Sequence, residues 1–105
     1  MTGLPLRIEL LLSLQRGLFG EVHPQLRQAS IEADEIEMII RLRFEYAGAP
    51  EAIVRESCSC AATQVIADFS SHWQLDEQHL SVPPPEKLSP LQYIAYLRAE
   101  PQAGA

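Results

Sequence analysis

Two cysteines, Cys58 and Cys60, stand two positions apart in the stretch CSCAATQVIADF of residues 58–69. Paired thiolates bind metals or exchange disulfides when their sulfurs converge on one point. The spacing here argues against convergence. Apolar residues recur through this stretch at helical period, and residues two apart on a helix point about 200° from each other. Cys58 falls on the stripe of Val54, Ala62 and Val65, whereas Cys60 points away. A C-x-C pair also lacks the spacing of a thioredoxin-type dithiol, and no second Cys or His pair completes a zinc set. The expectation is one buried thiol, one half-exposed thiol and no metal.

The other residues suited to chemistry are Asp76, Glu77 and His79. On a strand Glu77 and His79 share a face, as a carboxylate–imidazole acid–base pair requires. Charged residues alternating along a strand more simply form a solvated face, and that is the expectation. Ser57, Ser59, Ser70 and Ser71 have no nucleophile elbow around them. No phosphate loop or dinucleotide fingerprint occurs. The sequence therefore points to no catalytic residue, no cofactor and no enzyme.

The chain of 105 residues is 47% hydrophobic. That suits a single domain over residues 1–105, with an ordered core at about 4–99 and a tail at 100–105 expected to fray. The formal charge of −6 disfavours nucleic acid and favours a basic protein partner, besides aiding solubility. The opening MTGLPLRIELLLSLQRG lacks the features of a secretory signal, and Arg7, Glu9 and Arg16 make it too charged to cross a membrane. With two adjacent cysteines and no disulfide framework, a reducing cytoplasmic setting is expected.

Six elements must position these residues. Periodicity predicts a helix over 4–19, with Leu4, Ile8, Leu11, Leu12, Leu18 and Phe19 near one face, widened by Leu10 and Leu14. A strand over 26–33 alternates through Ala29, Ile31 and Ala33, and Asp34 supplies chemistry for a tight turn. A strand over 36–46 sends Ile36, Met38, Ile40, Leu42, Phe44 and Tyr46 one way and charged residues the other. Pro50 opens a second helix running to about Phe69. A strand over 72–82 needs a bulge near Glu77 to reconcile Trp73 and Leu75 with Leu80 and Val82. The stretch PPPEKLSP is a stiff loop, and a strand over 92–98 turns Tyr93, Ala95 and Leu97 one way. The α-β-β-α-β-β order implies an α+β fold. Burial makes it a two-layer sandwich, with both helices on one face of a four-stranded, mainly antiparallel sheet.

The acids that remain suggest a surface. Asp34, Glu35, Glu37 and Glu45, with Glu32, gather around the first hairpin, and Asp76 and Glu77 lie in the third strand. If these strands are neighbours, the acids form one negative patch beside Trp73 and Tyr96, suited to anchoring a basic partner. Arg41 and Arg43 share the wet face and would dilute the patch through cross-strand pairs. An alternative is a non-catalytic homodimer built on an exposed sheet edge or the Trp73 region.

The string LPLRIELLLSLQRGLFGEVHPQLRQASIE resembles the opening of a small bacterial family, with Gly20, Glu21, Val22, Pro24, Leu26 and Arg27 matching its pattern. ATQVIADF at 62–69 resembles that family's second-helix ending, and the likeness covers about residues 6–70. The family is similar to immunity proteins of contact-dependent growth inhibition systems. The resemblance implies a small cytoplasmic protein that binds and neutralises a co-encoded toxin domain, many such toxins being basic nucleases. Two departures stand out: Asp34-Glu35 where a glycine-containing turn is expected, and the C-S-C itself.

Overall fold

The computed structural model describes residues 4–100. Its elements run α1 (Leu6–Leu18), β1 (Leu26–Asp34), β2 (Ile39–Tyr46), α2 (Ala52–Ala67), β3 (Gln74–Ser81) and β4 (Tyr93–Leu97). The sheet order is β3-β2-β1-β4. β1 pairs antiparallel with both β2 and β4, and β2 pairs parallel with β3. The order of elements and the α+β class match the expectation, but the sheet is mixed. Its parallel pair follows from connectivity, because a strand returning through a helix beside its predecessor runs parallel to it.

Both helices pack on one face of the sheet. The core joins Ile40, Leu42, Phe44 and Tyr46 of β2 to Ala29 and Ile31 of β1 and to the undersides of α1 and α2. The buried stripe of α1 differs from the predicted one: it comprises Leu10, Ser13, Leu14, Gly17 and Leu18, while Leu4, Leu12 and Phe19 are exposed. The cause lies in α2. A Cβ at Gly17 would stand 2.8 Å from the Ala61 carbonyl oxygen, so the helices cross where both side chains are small, and α1 turns toward that crossing. Ser13 (2.6 Å) and Arg16 (3.0 Å) both donate to Asp68 just beyond α2. The Ser13 bond first, and Arg16 with it, hold that carboxyl below its usual range.

The opposite face is not simply wet. β3 and β4 occupy opposite edges, so residues 82–92 must cross the sheet to join them, and the helices already cover the other side. This strap is held by side chains that rise from the sheet. Arg43 donates to the Ser89 carbonyl, Glu45 accepts from Ser89 N (2.6 Å) and Ser30 accepts from Leu91 N (2.9 Å). Arg27 donates to the carbonyls of Val82 (2.6 Å) and Glu86 (2.9 Å), and to both oxygens of Glu100. Arg27, Gln28, Ser30 and Glu45 are consequently buried. The chain is thus still fastened at Glu100, where fraying was expected to begin; residues 101–105 of that tail lie outside the described residues.

Three predictions about the strands are corrected. β3 pairs with β2 without irregularity from Ile39↔Gln74 to Tyr46↔Ser81, so Glu77 sits at no bulge. Alternation breaks instead in β4. Ala29 faces Tyr96 while Ser30 faces Ile94. The extra residue turns Tyr96, rather than Leu97, toward the helices. β2 also starts later than predicted: Ile36 projects from the turn and Met38 adopts a positive φ of 56° within it.

Candidate functional site

The regular β3 register sends Leu75, Glu77 and His79 beneath α2, opposite Ile40, Leu42 and Phe44. There the imidazole and carboxylate meet. His79 Nε2 lies 2.5 Å from Glu77 Oε2, and Tyr46 Oη lies 2.7 Å from His79 Nδ1. Ser59 of α2 donates its hydroxyl to the same Glu77 oxygen. The His79 side chain is 3% exposed and stacks against the rings of Phe44 and Tyr46. The expected solvated face is therefore an interior network.

The donor order defines what this network can do. Glu77 accepts, so His79 Nε2 carries a proton, and in the neutral ring Nδ1 accepts from the Tyr46 hydroxyl. A serine nucleophile hands its proton to an imidazole. Ser59 instead donates to the carboxylate, and both ring nitrogens are engaged elsewhere. Burial raises Tyr46 far above the usual phenol range. Burial likewise pushes the Cys58 thiol up to about 11, so both keep their protons at neutral pH. The arrangement fastens α2 to β3 by satisfied hydrogen bonds. Cys58 is buried and Cys60 exposed, as the helical spacing requires. Among the described residues no group of three His, Cys, Asp or Glu side chains is placed to hold a metal ion.

The acids expected to form one patch are spread over four places. Asp34, Glu35 and Glu37 lie at the β1–β2 turn. Asp34 Oδ1 accepts from the backbone N–H groups of Ile36 and Glu37, at 3.0 Å each. This shapes the glycine-free turn and leaves Ile36 91% exposed among three carboxylates. Asp76 lies on the strap-side face, in register with Arg41 and Glu32. Arg41 reaches Asp76 at 3.4 Å and Glu32 at 3.5 Å, the dilution anticipated above. Glu77 points into the helix-side network. Glu45 is fully enclosed, held by Gln28 (2.9 Å) and by Ser89, so it offers no surface to a partner. Trp73 packs its edge against Phe69, half-buried, at the β3 side. Tyr96 lies across the sheet on β4, so the two aromatics cannot flank one patch.

Some features escape sequence reasoning. The clasp between Arg27 and Glu100 joins residues 73 positions apart. Hydrogen bonding to Arg27 is the foremost cause that holds Glu100 down at about 2. The Ser59–Glu77 bond depends on how α2 crosses β3, which neither segment encodes alone. Exposed Ile36 was hidden by an alternation that continues unbroken through the turn.

Residues 7–100 match the MafI2 immunity protein family. The chain belongs to this family. The match spans all but the first residue of the six elements, so the tip, the network and the strap lie within it. No curated protein matches the chain. Family membership implies an immunity function directed at a toxin, hence a toxin partner. It agrees with the resemblance found in the opening segment. Among the described residues no helix is long and apolar enough to cross a membrane.

Proposed function

We propose that the protein neutralises a cognate, basic, nuclease-type toxin domain in the cytoplasm by covering its active site, performing no chemistry itself. The β1–β2 tip carries this reading. Ile36 is an exposed apolar anchor, and Asp34, Glu35 and Glu37 surround it with negative charge. The two bonds to Asp34 preorganise the tip, which lowers the ordering cost of binding. An acidic element entering a basic cleft speeds encounter and excludes substrate phosphate from the same charges. Asp76 and Trp73, at the β3 side, are placed to contribute at the rim. Glu77 and Glu45 act inside the fold, the first fastening α2 and the second the strap.

The test is titration calorimetry with the purified toxin domain encoded beside this gene, at low and high salt. One-to-one binding that weakens as salt rises, with loss of toxin activity at stoichiometry, is expected. Binding indifferent to salt, or complexes in which the toxin stays active, would contradict occlusion by charge.

A further inference from the structure

The two edges of the sheet differ in kind. The β3 edge carries Asp76 between Gln74 and Gln78 on its strap-side face, and charge on an edge discourages another chain from pairing with it. The β4 edge, Tyr93-Ile94-Ala95-Tyr96-Leu97, carries no acidic or basic side chain. Apolar groups flank it on both faces. Toward the strap, Ile94 is 46% and Leu97 58% exposed. Toward the helices, α1 ends beside β4 and leaves a groove of about 210 Å³ lined by Gln15, Leu18, Phe19, Val22, Ala95 and Tyr96. Phe19 stands 89% exposed at this groove. Its extended backbone, with ψ at 118°, carries the ring off the helical stripe, and Gly20 follows at a φ of 80°.

We infer that this surface pairs with a second copy of the chain across a two-fold axis, Phe19 of each copy entering the groove between Val22 and Tyr96 of the other. Charge selects that occupant. A basic toxin finds no acid on β4 to attract it, whereas two copies of charge −6 repel least where they meet through this uncharged strand, with Glu21 beside Val22 the acid at its margin. A two-fold contact requires a self-complementary surface, and a projecting ring beside a groove supplies one. β4 is short and bulged, so side-chain packing rather than a continued ladder makes the contact.

Area sets the strength. With an aromatic side chain contributing about 150–250 Å², the exposed apolar groups offer on the order of 400–500 Å² per copy. The total of roughly 800–1,000 Å² lies below the ~1,200–2,000 Å² of stable complexes, so the dimer is weak and concentration-dependent. The patch lies at the Gln28–Ala29 level of β1, about five residues and therefore roughly 15 Å along the strand from the tip at Asp34. Self-association thus leaves the tip free and is independent of the toxin reading.

Sedimentation velocity on the full chain, from micromolar to millimolar concentration, tests this. The mean mass is expected to rise from one chain toward two. Phe19→Glu and Ile94→Lys should each hold it at one chain, with thermal midpoints near the wild type because both residues are exposed. Glu37→Gln at the tip should dimerise like the wild type. A wild type that stays monomeric at millimolar concentration overturns the inference, as does a dimer indifferent to both edge variants. A monomer whose Phe19→Glu variant loses toxin binding also overturns it, and assigns the patch to the toxin instead.

Discussion

Asp34-Glu35-Ile36-Glu37 and Asp76-Glu77-Gln78-His79 look alike in the sequence. Each opens on Asp-Glu, and each would serve as half of an acidic surface. The fold treats them in opposite ways. The first falls in a turn, where consecutive side chains radiate from one point, so its carboxylates gather around Ile36. The second falls in a strand, where consecutive side chains alternate between faces. Asp76 is sent to Arg41 on one side, and Glu77 to His79 and Ser59 on the other. An acidic run concentrates charge when it turns and divides it when it extends. Position along the backbone, more than composition, separates an exposed acidic tip from an internal fastening.

Variants on the two sides of this comparison should fail differently. The largest stability effect is expected from His79→Ala, which empties a stacked, buried site and leaves Tyr46 and Glu77 short of a partner. A loss of about 2–4 kcal/mol in urea unfolding is expected, with toxin affinity of the folded protein near wild type. Glu35→Lys combined with Glu37→Lys should do the reverse. Surface changes of this kind move stability by less than about 0.5 kcal/mol, while toxin affinity should fall about ten- to hundredfold, chiefly through slower association at low salt. Asp34→Ala lies between the two. It removes two bonds that shape the tip, so about 1 kcal/mol of stability and several-fold in affinity should go together.

The smallest expected effects involve titration. Glu100, held at about 2 against an ordinary 4.5, takes up its proton more readily once the chain unfolds. Stability from the Arg27 clasp is therefore intact above about pH 4.5 and drains as pH falls toward 2. Glu100→Gln should flatten acid unfolding over that window. The Cys58 thiol, raised from 9.0 to about 11, acts in the opposite sense, and stability should decline as pH rises from 9 toward 11. At neutral pH a thiol reagent should label Cys60 promptly and Cys58 only on unfolding.

Much of this was legible in the sequence because period and burial agree. The alternation of Ile40, Leu42, Phe44 and Tyr46, and the stripe of Val54, Cys58, Ala62 and Val65, are local signals that local structure obeys. The failures share one cause. Each depends on a second segment whose position the first does not encode. The α1 stripe is rotated by the Gly17–Ala61 crossing. Glu45 is buried by a strap that begins thirty-seven positions later, at residue 82, and that must cross the sheet because β3 and β4 lie at opposite edges. Glu77 and His79 read as solvated until the parallel pairing with β2 sets them beneath α2. Ile36 continues the β2 alternation in sequence, yet the bonds that its own N–H and that of Glu37 donate to Asp34 close the turn and keep it out of the strand.

The measurement that bears most directly on the tip as the contact surface is the toxin affinity of two variants against wild type, by calorimetry at one low salt concentration. One carries Glu35→Lys with Glu37→Lys; the other carries Asp76→Asn. A loss of tenfold or more is expected for the tip variant and a change within about twofold for Asp76→Asn, whose carboxylate is already engaged by Arg41. A tip variant that binds like wild type while Asp76→Asn binds poorly would contradict it, and would place the toxin on the strap-side face of the sheet.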